Sequence, residues 1–110
     1  MRDVRIYLDD VLNSISRIES YVAGMSREAY EEDMKTQDAV IRNLEIIGEA
    51  VGKLPVEILE MNSELEWHKI KALRNILVHE YFGISSEIIW DVVQNKLREL
   101  RSGCSEILDQ

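Results

Sequence analysis

Apolar residues recur along most of the chain at alternating spacings of three and four, the pattern of helices that each bury one face. The first run predicts a helix from about Asp3 to Ala23, ended by Gly24. Its apolar stripe consists of Val4, Leu8, Val11, Ile15, Ile18 and Val22. Ser26 then predicts the start of a short helix over 27–32, because its hydroxyl can accept a hydrogen bond from a free backbone N–H.

A second long helix, from about Asp33 to Lys53, carries two apolar faces. The main stripe consists of Val40, Leu44, Ile47, Val51 and Leu54. A milder face beside it consists of Ala39, Asn43, Ile46 and Ala50. Such a helix is either central in a bundle or shared with another chain, and the pattern leaves both open. Gly52 and Pro55 predict its end.

The pattern continues through the second half of the chain. Residues 55–62 are predicted to form a loop with one helical turn. A helix then begins near Leu65, turns Ile70, Leu73 and Leu77 inward, and frays near 79–83. The last helix, capped by Ser85 or Ser86, runs to about Leu108. Its stripe is Ile89, Val93, Leu97, Leu100, Cys104 and Ile107. The sequence therefore predicts an all-α fold, an antiparallel four- to five-helix bundle, as a single domain over residues 1–110.

Composition and charge restrict the location and the partners. The net charge of −8 opposes general binding to nucleic acid, so an RNA site must be a local basic patch, and no DNA binding is expected. Cys104 has no second cysteine to pair with, which fits a reducing cytoplasm. No stretch approaches the roughly 20 apolar residues of a membrane helix, so no membrane contact is expected.

One segment carries candidate chemistry: residues 74–81 read R-N-I-L-V-H-E-Y at the end of a predicted helix. Arg74 can grip a phosphate with two donors, and His79 can move a proton near neutral pH. Together they could cleave RNA without a metal, with His79 activating the ribose 2′-hydroxyl or protonating the leaving oxygen. Taken alone, the pattern is a weak signal, because a helix-terminal His more often interacts with the last carbonyls and a lone Arg is usually a surface charge.

This segment resembles the R-x-x-x-x-H-x-Y signature of HepT proteins, within the HEPN superfamily of helical domains. A second segment, residues 42–50 (R-N-L-E-I-I-G-E-A), is similar to that family's R-x-x-E-x-I-G-E-A segment. Trp67 and Trp90 also lie where the family usually places aromatic residues. The resemblance covers nearly the whole chain, from about Asp3 to Leu108.

The resemblance implies a HEPN-like, homodimeric, metal-independent RNase that needs no cofactor. It would be the toxin of a prokaryotic, type VII-like MNT/HepT toxin–antitoxin module. Arg74 and His79 would be the catalytic residues, and Asn75 would support the site. The partner would be a minimal nucleotidyltransferase antitoxin, which would silence the toxin by transferring AMP to Tyr81. Alternatively, the chain would be a non-catalytic helical subunit that helps such a nucleotidyltransferase to bind its substrate.

Helical geometry gives a separate argument for a dimer. Arg74 and His79 are five residues apart, so they point about 140° away from each other on a straight helix. Fraying near His79 could unite them within one chain. Otherwise Arg74 of one protomer would meet His79 of the other. Tyr81, seven residues after Arg74, lies on nearly the same stripe as the arginine.

The remaining histidine suggests no metal site. His68 and His79 are eleven residues apart, which matches no compact helical metal pair. His68, Lys69 and Lys71 could instead form the local basic patch that RNA requires, or they could be an ordinary solvated helix face.

Two glutamates in the family-like segment are candidates for orienting residues. Glu45 and Glu49 are one helical turn apart, and either could orient Arg42 or Arg74. We do not expect them to be catalytic.

Overall fold

The computed structural model describes residues 3–79 and 84–110, and these residues form helices with no strand among them. The helices are α1 (Val4–Val22), α2 (Arg27–Glu32), α3 (Met34–Gly52), α4 (Val56–Met61), α5 (Trp67–His79), α6 (Ser86–Asp91) and α7 (Leu97–Leu108). A π-helical segment, Val92–Lys96, joins α6 to α7 as one rod. The predicted all-α bundle is confirmed. None of the described helices combines the length and apolar composition needed to cross a membrane.

Helix starts follow the capping residues that the sequence provides. At the starts of four helices, a side-chain oxygen accepts a hydrogen bond from a backbone N–H two or three residues further on, which otherwise has no partner within the helix. These caps are Asp3 for α1, Ser26 for α2, Asp33 for α3 and Ser85 for α6. Ser85 is thus the cap of the last helix, one of the two serines predicted for that role.

The core consists of the predicted apolar stripes. The stripe of α1 is buried from Leu8 to Val22, with Val4 half-buried at its end, and the stripe of the α6–α7 rod is buried from Ile89 to Ile107. Cys104 belongs to this core, where burial raises the pKa of its thiol to about 12. Because the thiolate is the reactive form, Cys104 is a packing residue.

Helix α3 is central, and it packs against α1, α2 and α5. Its main stripe is buried, as the sequence predicts. On its second face, Asn43 and Ala50 are buried, while Ala39 and Ile46 are half-buried. Neighbouring helices of the same chain therefore cover much of that face, and it gives no separate argument for a second copy.

The start of α5 differs from the sequence prediction. Residues 55–62 contain α4, which is longer than the single turn expected. A 3₁₀ turn, Ser63–Leu65, follows it, and α5 begins at Trp67 rather than near Leu65. The reason is Glu66, whose left-handed backbone (φ 52°, ψ 48°) cannot continue into an α-helix.

The π-helical segment was not predicted, although the spacing of the core stripe accounts for it. The backbone N–H of Leu97 donates to the carbonyl of Val92, five residues earlier. Ile89, Val93 and Leu97 follow two successive spacings of four, which would drift by about 80° around a straight α-helix. The wider turn keeps all three side chains in the core.

Candidate functional site

Arg74 lies where α5 crosses α3 at Gly48. A methyl group on Gly48 would overlap the Cβ of Arg74 and stand only 2.6 Å from its Cγ. Glycine allows this close approach because it has no side chain. The absence of a side chain at Gly48 therefore lets the base of the Arg74 side chain pack directly on α3.

The Arg74 side chain is anchored at its base and open at its tip. Its Nε is buried without a hydrogen-bond partner, and its Nη1 donates to Asn75 Oδ1 at 3.1 Å. Its Nη2 lies 3.7 Å from Oε1 of Glu49 on α3, and the two side chains are 34% and 51% exposed. Ion pairs this exposed contribute only about 0–1 kcal/mol. A phosphate can therefore replace Glu49 as the partner of Arg74 at little cost.

Arg74 opens into a groove of about 490 Å³ between α3 and α5. Helix α3 contributes Gly48, Glu49, Gly52 and Lys53 to it, and α5 contributes Lys71, Arg74 and Asn75. We call this surface the Arg74 groove. Residues one turn apart lie on the same face of a helix, which explains both sets. Among residues 3–79 and 84–110, the groove has three cationic side chains and one carboxylate, so this part of the surface is locally basic on a chain of net charge −8.

His79 is the last residue of α5, and its side chain is exposed. It does not line the Arg74 groove. Because α5 remains helical through His79, the two motif side chains diverge by about 140° and are about 7.5 Å apart along the helix axis. The fold thus positions Arg74 and Asn75 together, whereas His79 points away from Arg74 within the same chain.

The sequence also indicated three aromatic residues: two tryptophans and the motif tyrosine. Trp67 is buried at the start of α5, and Trp90 packs against Tyr30 with ring centroids 5.2 Å apart. Both tryptophans are therefore packing residues that hold α5 and α6 in place. Tyr81, the expected modification site, lies outside the described residues.

The basic patch expected from sequence is assembled only in part. Lys71 lines the Arg74 groove, and His68 is exposed elsewhere on α5. Lys69 instead forms an ion pair with Glu66, with Nζ 2.5 Å from Oε2, and this hydrogen bond lowers the pKa of the Glu66 carboxyl. Lys69 therefore pairs with a residue three positions earlier on the chain, and it does not line the groove.

Sequence reasoning missed Lys53 and Gly48, which α3 brings to the site. Neither lies near the motif in sequence, and the register of α3 against α5 sets their positions. One signal was present: Gly48 and Gly52 are four residues apart within a predicted helix. Glycine in a helix interior is destabilising, so such a pair indicates a packing or functional role.

The two glutamates of α3 have separate partners. Glu45 lies beside Arg42 on the same helix, 3.6 Å from its Nη1. Glu49 reaches across to Arg74, as one of the sequence hypotheses proposed. Among residues 3–79 and 84–110, no group of three or more His, Cys, Asp or Glu side chains is arranged to hold a metal ion.

A helical bundle with a basic groove across two helices is suited to hold a phosphate-bearing chain. The family model described as Ribonuclease HepT-like matches residues 11–107. This chain belongs to the HepT-like ribonuclease family, which confirms the resemblance found in its motifs.

Relatives of known name agree with this assignment. A protein of Methanocaldococcus jannaschii, named as a candidate RNase, is 44% identical over 87% of this chain and 79% of its own length. Another candidate RNase, from Caldanaerobacter subterraneus, is 38% identical over 100% of this chain and 98% of its own length. A candidate ribonuclease HepT of Thermococcus cleftensis is 35% identical over 91% of both chains. No solved structure matches this chain.

Proposed function

We propose that this protein is a metal-independent endoribonuclease and the toxin of a toxin–antitoxin module. The observation that carries the proposal is the position of Arg74. Its guanidinium tip lies in a basic groove and, among the described residues, is held only by Asn75 and an exposed glutamate. Membership of the HepT-like ribonuclease family supplies the class of substrate. An RNA substrate and an unpaired cysteine fit a cytoplasmic protein.

Arg74 and His79 have complementary chemical roles in this proposal. Arg74 holds the scissile phosphate and offsets the charge that develops on it. His79 removes the proton of the ribose 2′-hydroxyl, whose oxygen attacks phosphorus while the bond to the 5′-oxygen breaks, or it protonates that leaving oxygen. The products are a 2′,3′-cyclic phosphate and a 5′-hydroxyl. Asn75 keeps the guanidinium oriented through its hydrogen bond.

The proposed active form is a homodimer with composite sites. A single α5 directs Arg74 and His79 apart, so a second protomer must supply the missing partner of each pair. Two large apolar side chains, Ile76 and Val78, are 41% and 43% exposed within the motif itself. Apolar exposure beside a polar site supports a protein contact at this end of α5.

We expect the protein to cleave single-stranded RNA in the presence of excess EDTA. Because the proposed chemistry uses only side chains, chelation should leave the rate unchanged. The measurement is cleavage of end-labelled RNA, with the product ends identified as 2′,3′-cyclic phosphate by mass spectrometry. A His79→Ala preparation controls for contaminating nucleases. If the two preparations cleave alike, the motif is not the site, and if neither cleaves, the non-catalytic partner subunit becomes the better description.

The proposed antitoxin is a minimal nucleotidyltransferase that modifies Tyr81. The tyrosine oxygen would attack the α-phosphorus of ATP and release pyrophosphate, leaving AMP on the toxin. On a helix continued past His79, Tyr81 would share a stripe with Arg74, so the added phosphate could pair with the guanidinium. The nucleotide would then occupy the phosphate-binding residue and obstruct the groove.

We therefore expect incubation with the cognate nucleotidyltransferase, ATP and Mg²⁺ to add whole AMP units to the protein and to stop RNA cleavage. Tandem mass spectrometry should place AMP on Tyr81. The control is Tyr81→Phe, which removes only the accepting oxygen and should stay active and unmodified. If Tyr81→Phe still gains AMP and is still silenced, the modified residue is a different one.

A further inference from the structure

The Arg74 groove contains more cationic side chains than are needed to bind one scissile phosphate. Lys53 enters from α3, and Lys71 lies one turn before Arg74 on α5. Both lysines are exposed, and within the described residues neither has an ion-pair partner. Glu49, the carboxylate that the described residues contribute to the groove, lies beside Arg74. The two ammonium groups therefore remain available to a ligand.

The dimensions of the groove fit more than a single phosphate. A volume of about 490 Å³ lies within the range of about 300–1,000 Å³ that accommodates small-molecule ligands. On the α3 side, Gly52 is exposed and presents backbone rather than a side chain, while Gly48, one turn earlier, is covered by Arg74. A methyl group on Gly52 would meet no atom within 4 Å, so this part of the groove is open space. A ribose and its next phosphate can lie there.

We infer that Lys53 and Lys71 form a second phosphate subsite, which binds the RNA backbone next to the scissile phosphate. The inference rests on the proposed function, in which Arg74 holds the scissile phosphate. RNA carries one phosphate per nucleotide, so a strand bound at Arg74 brings a neighbouring phosphate into the same groove. Contacts to phosphate fix register and carry no base information. The subsite therefore binds RNA of any sequence, and base preference must arise elsewhere.

The test uses the full chain with His79→Ala as background, so that RNA is bound but not cut. Affinity for a fluorescent single-stranded RNA is measured between low and moderate salt. Lys53→Ala and Lys71→Ala should each weaken binding about tenfold, as expected for a charge-assisted contact. Each should also reduce the slope of log Kd against log salt by about 0.7, the value for one lost phosphate contact on a single strand.

A matched control is Lys35→Ala, which removes the same charge from an exposed position on α3 outside the groove. It should change neither the affinity nor the slope. With His79 intact, the two groove variants should raise KM for RNA cleavage while kcat stays close to that of the parent protein, because the subsite binds substrate without touching the reacting atoms.

The outcomes separate the subsite from the proposed function. If Lys53→Ala and Lys71→Ala bind RNA like Lys35→Ala, while the wild-type protein still cleaves RNA, the subsite is wrong and the nuclease stands. If those variants keep their RNA affinity but no longer bind the nucleotidyltransferase, the groove is a protein-docking surface and the inference is overturned. If the protein neither binds nor cuts RNA, both proposals fail.

Discussion

A heterodimer of Arg74→Ala and His79→Ala protomers should cleave RNA at about half the wild-type rate, although each variant alone is inactive. Each substitution alone removes one member of both sites in a homodimer, with an expected loss of about 100-fold or more. In the heterodimer, one composite site regains both residues and the other loses both. Co-expression with two different affinity tags and tandem purification gives the heterodimer free of either parent.

The inverse pairing gives the matched control. A wild-type protomer paired with an Arg74→Ala/His79→Ala double variant should be inactive, because each composite site then lacks one residue. Sites contained within single protomers would reverse both results: the double-variant pair would keep half the activity and the single-variant pair would have none. A monomeric mass by light scattering at micromolar concentration would also contradict the dimer.

Substituting alanine for Gly48 should reduce RNA cleavage about 100-fold, since displacement of a catalytic group by about 1 Å can have that effect. The added methyl overlaps the Cβ of Arg74, so either α5 moves away from α3 or the guanidinium leaves its position. Overpacking of this kind costs about 1–3 kcal/mol of folding free energy. The measurements are RNA cleavage at a temperature where the variant remains folded and the free energy of unfolding in urea.

Substitutions at two other glycines distinguish the effect of displacing Arg74 from the effect of adding a methyl group elsewhere in the protein. At Gly103, a methyl group would crowd the Leu65 side chain, with Cδ2 at 2.5 Å, far from the motif. Gly103→Ala requires the end of the Leu65 side chain to shift, and it should leave the specific activity of the folded protein unchanged. A methyl at Gly52 meets nothing within 4 Å, so Gly52→Ala should leave stability unchanged or raise it. Wild-type cleavage by Gly48→Ala would show that this crossing does not position Arg74.

The helices were predictable because their signals are local. Asp3 and Asp33 each precede an apolar stripe, and the stripe alone identifies the buried side of the helix, while Ser26 marks the start of the short α2. The π-helical segment was harder to predict, since the repeated spacing of four in the last stripe is also compatible with a drifting α-helix. The backbone conformation of Glu66 gives no signal in the sequence, so the start of α5 was placed about two residues too early.

The site was predictable only on the helix that carries the motif. Arg74 and Asn75 are neighbours in sequence, and their shared position follows from that. Lys53 and Gly48 depend on how α3 and α5 cross, which arises from the packing of the whole core. The grouping of Lys69 with Lys71 was avoidable from the sequence, since two residues apart on a helix they point about 160° away from each other, and Glu66 lies one turn before Lys69.

The distribution of charge around the Arg74 groove also affects how RNA reaches the protein. At moderate salt, the attraction between RNA and the three cations of the groove is screened over about 10 Å. The net charge of −8 repels a polyanion from all other directions. Encounter with RNA should therefore be unsteered, with association near the ordinary value of about 10⁵–10⁶ M⁻¹s⁻¹. Because the acidic surface outside the groove repels RNA, nonspecific contacts there are weak, so the protein would not be sequestered by the abundant RNA of the cell. Each molecule could sample many strands before it cuts one.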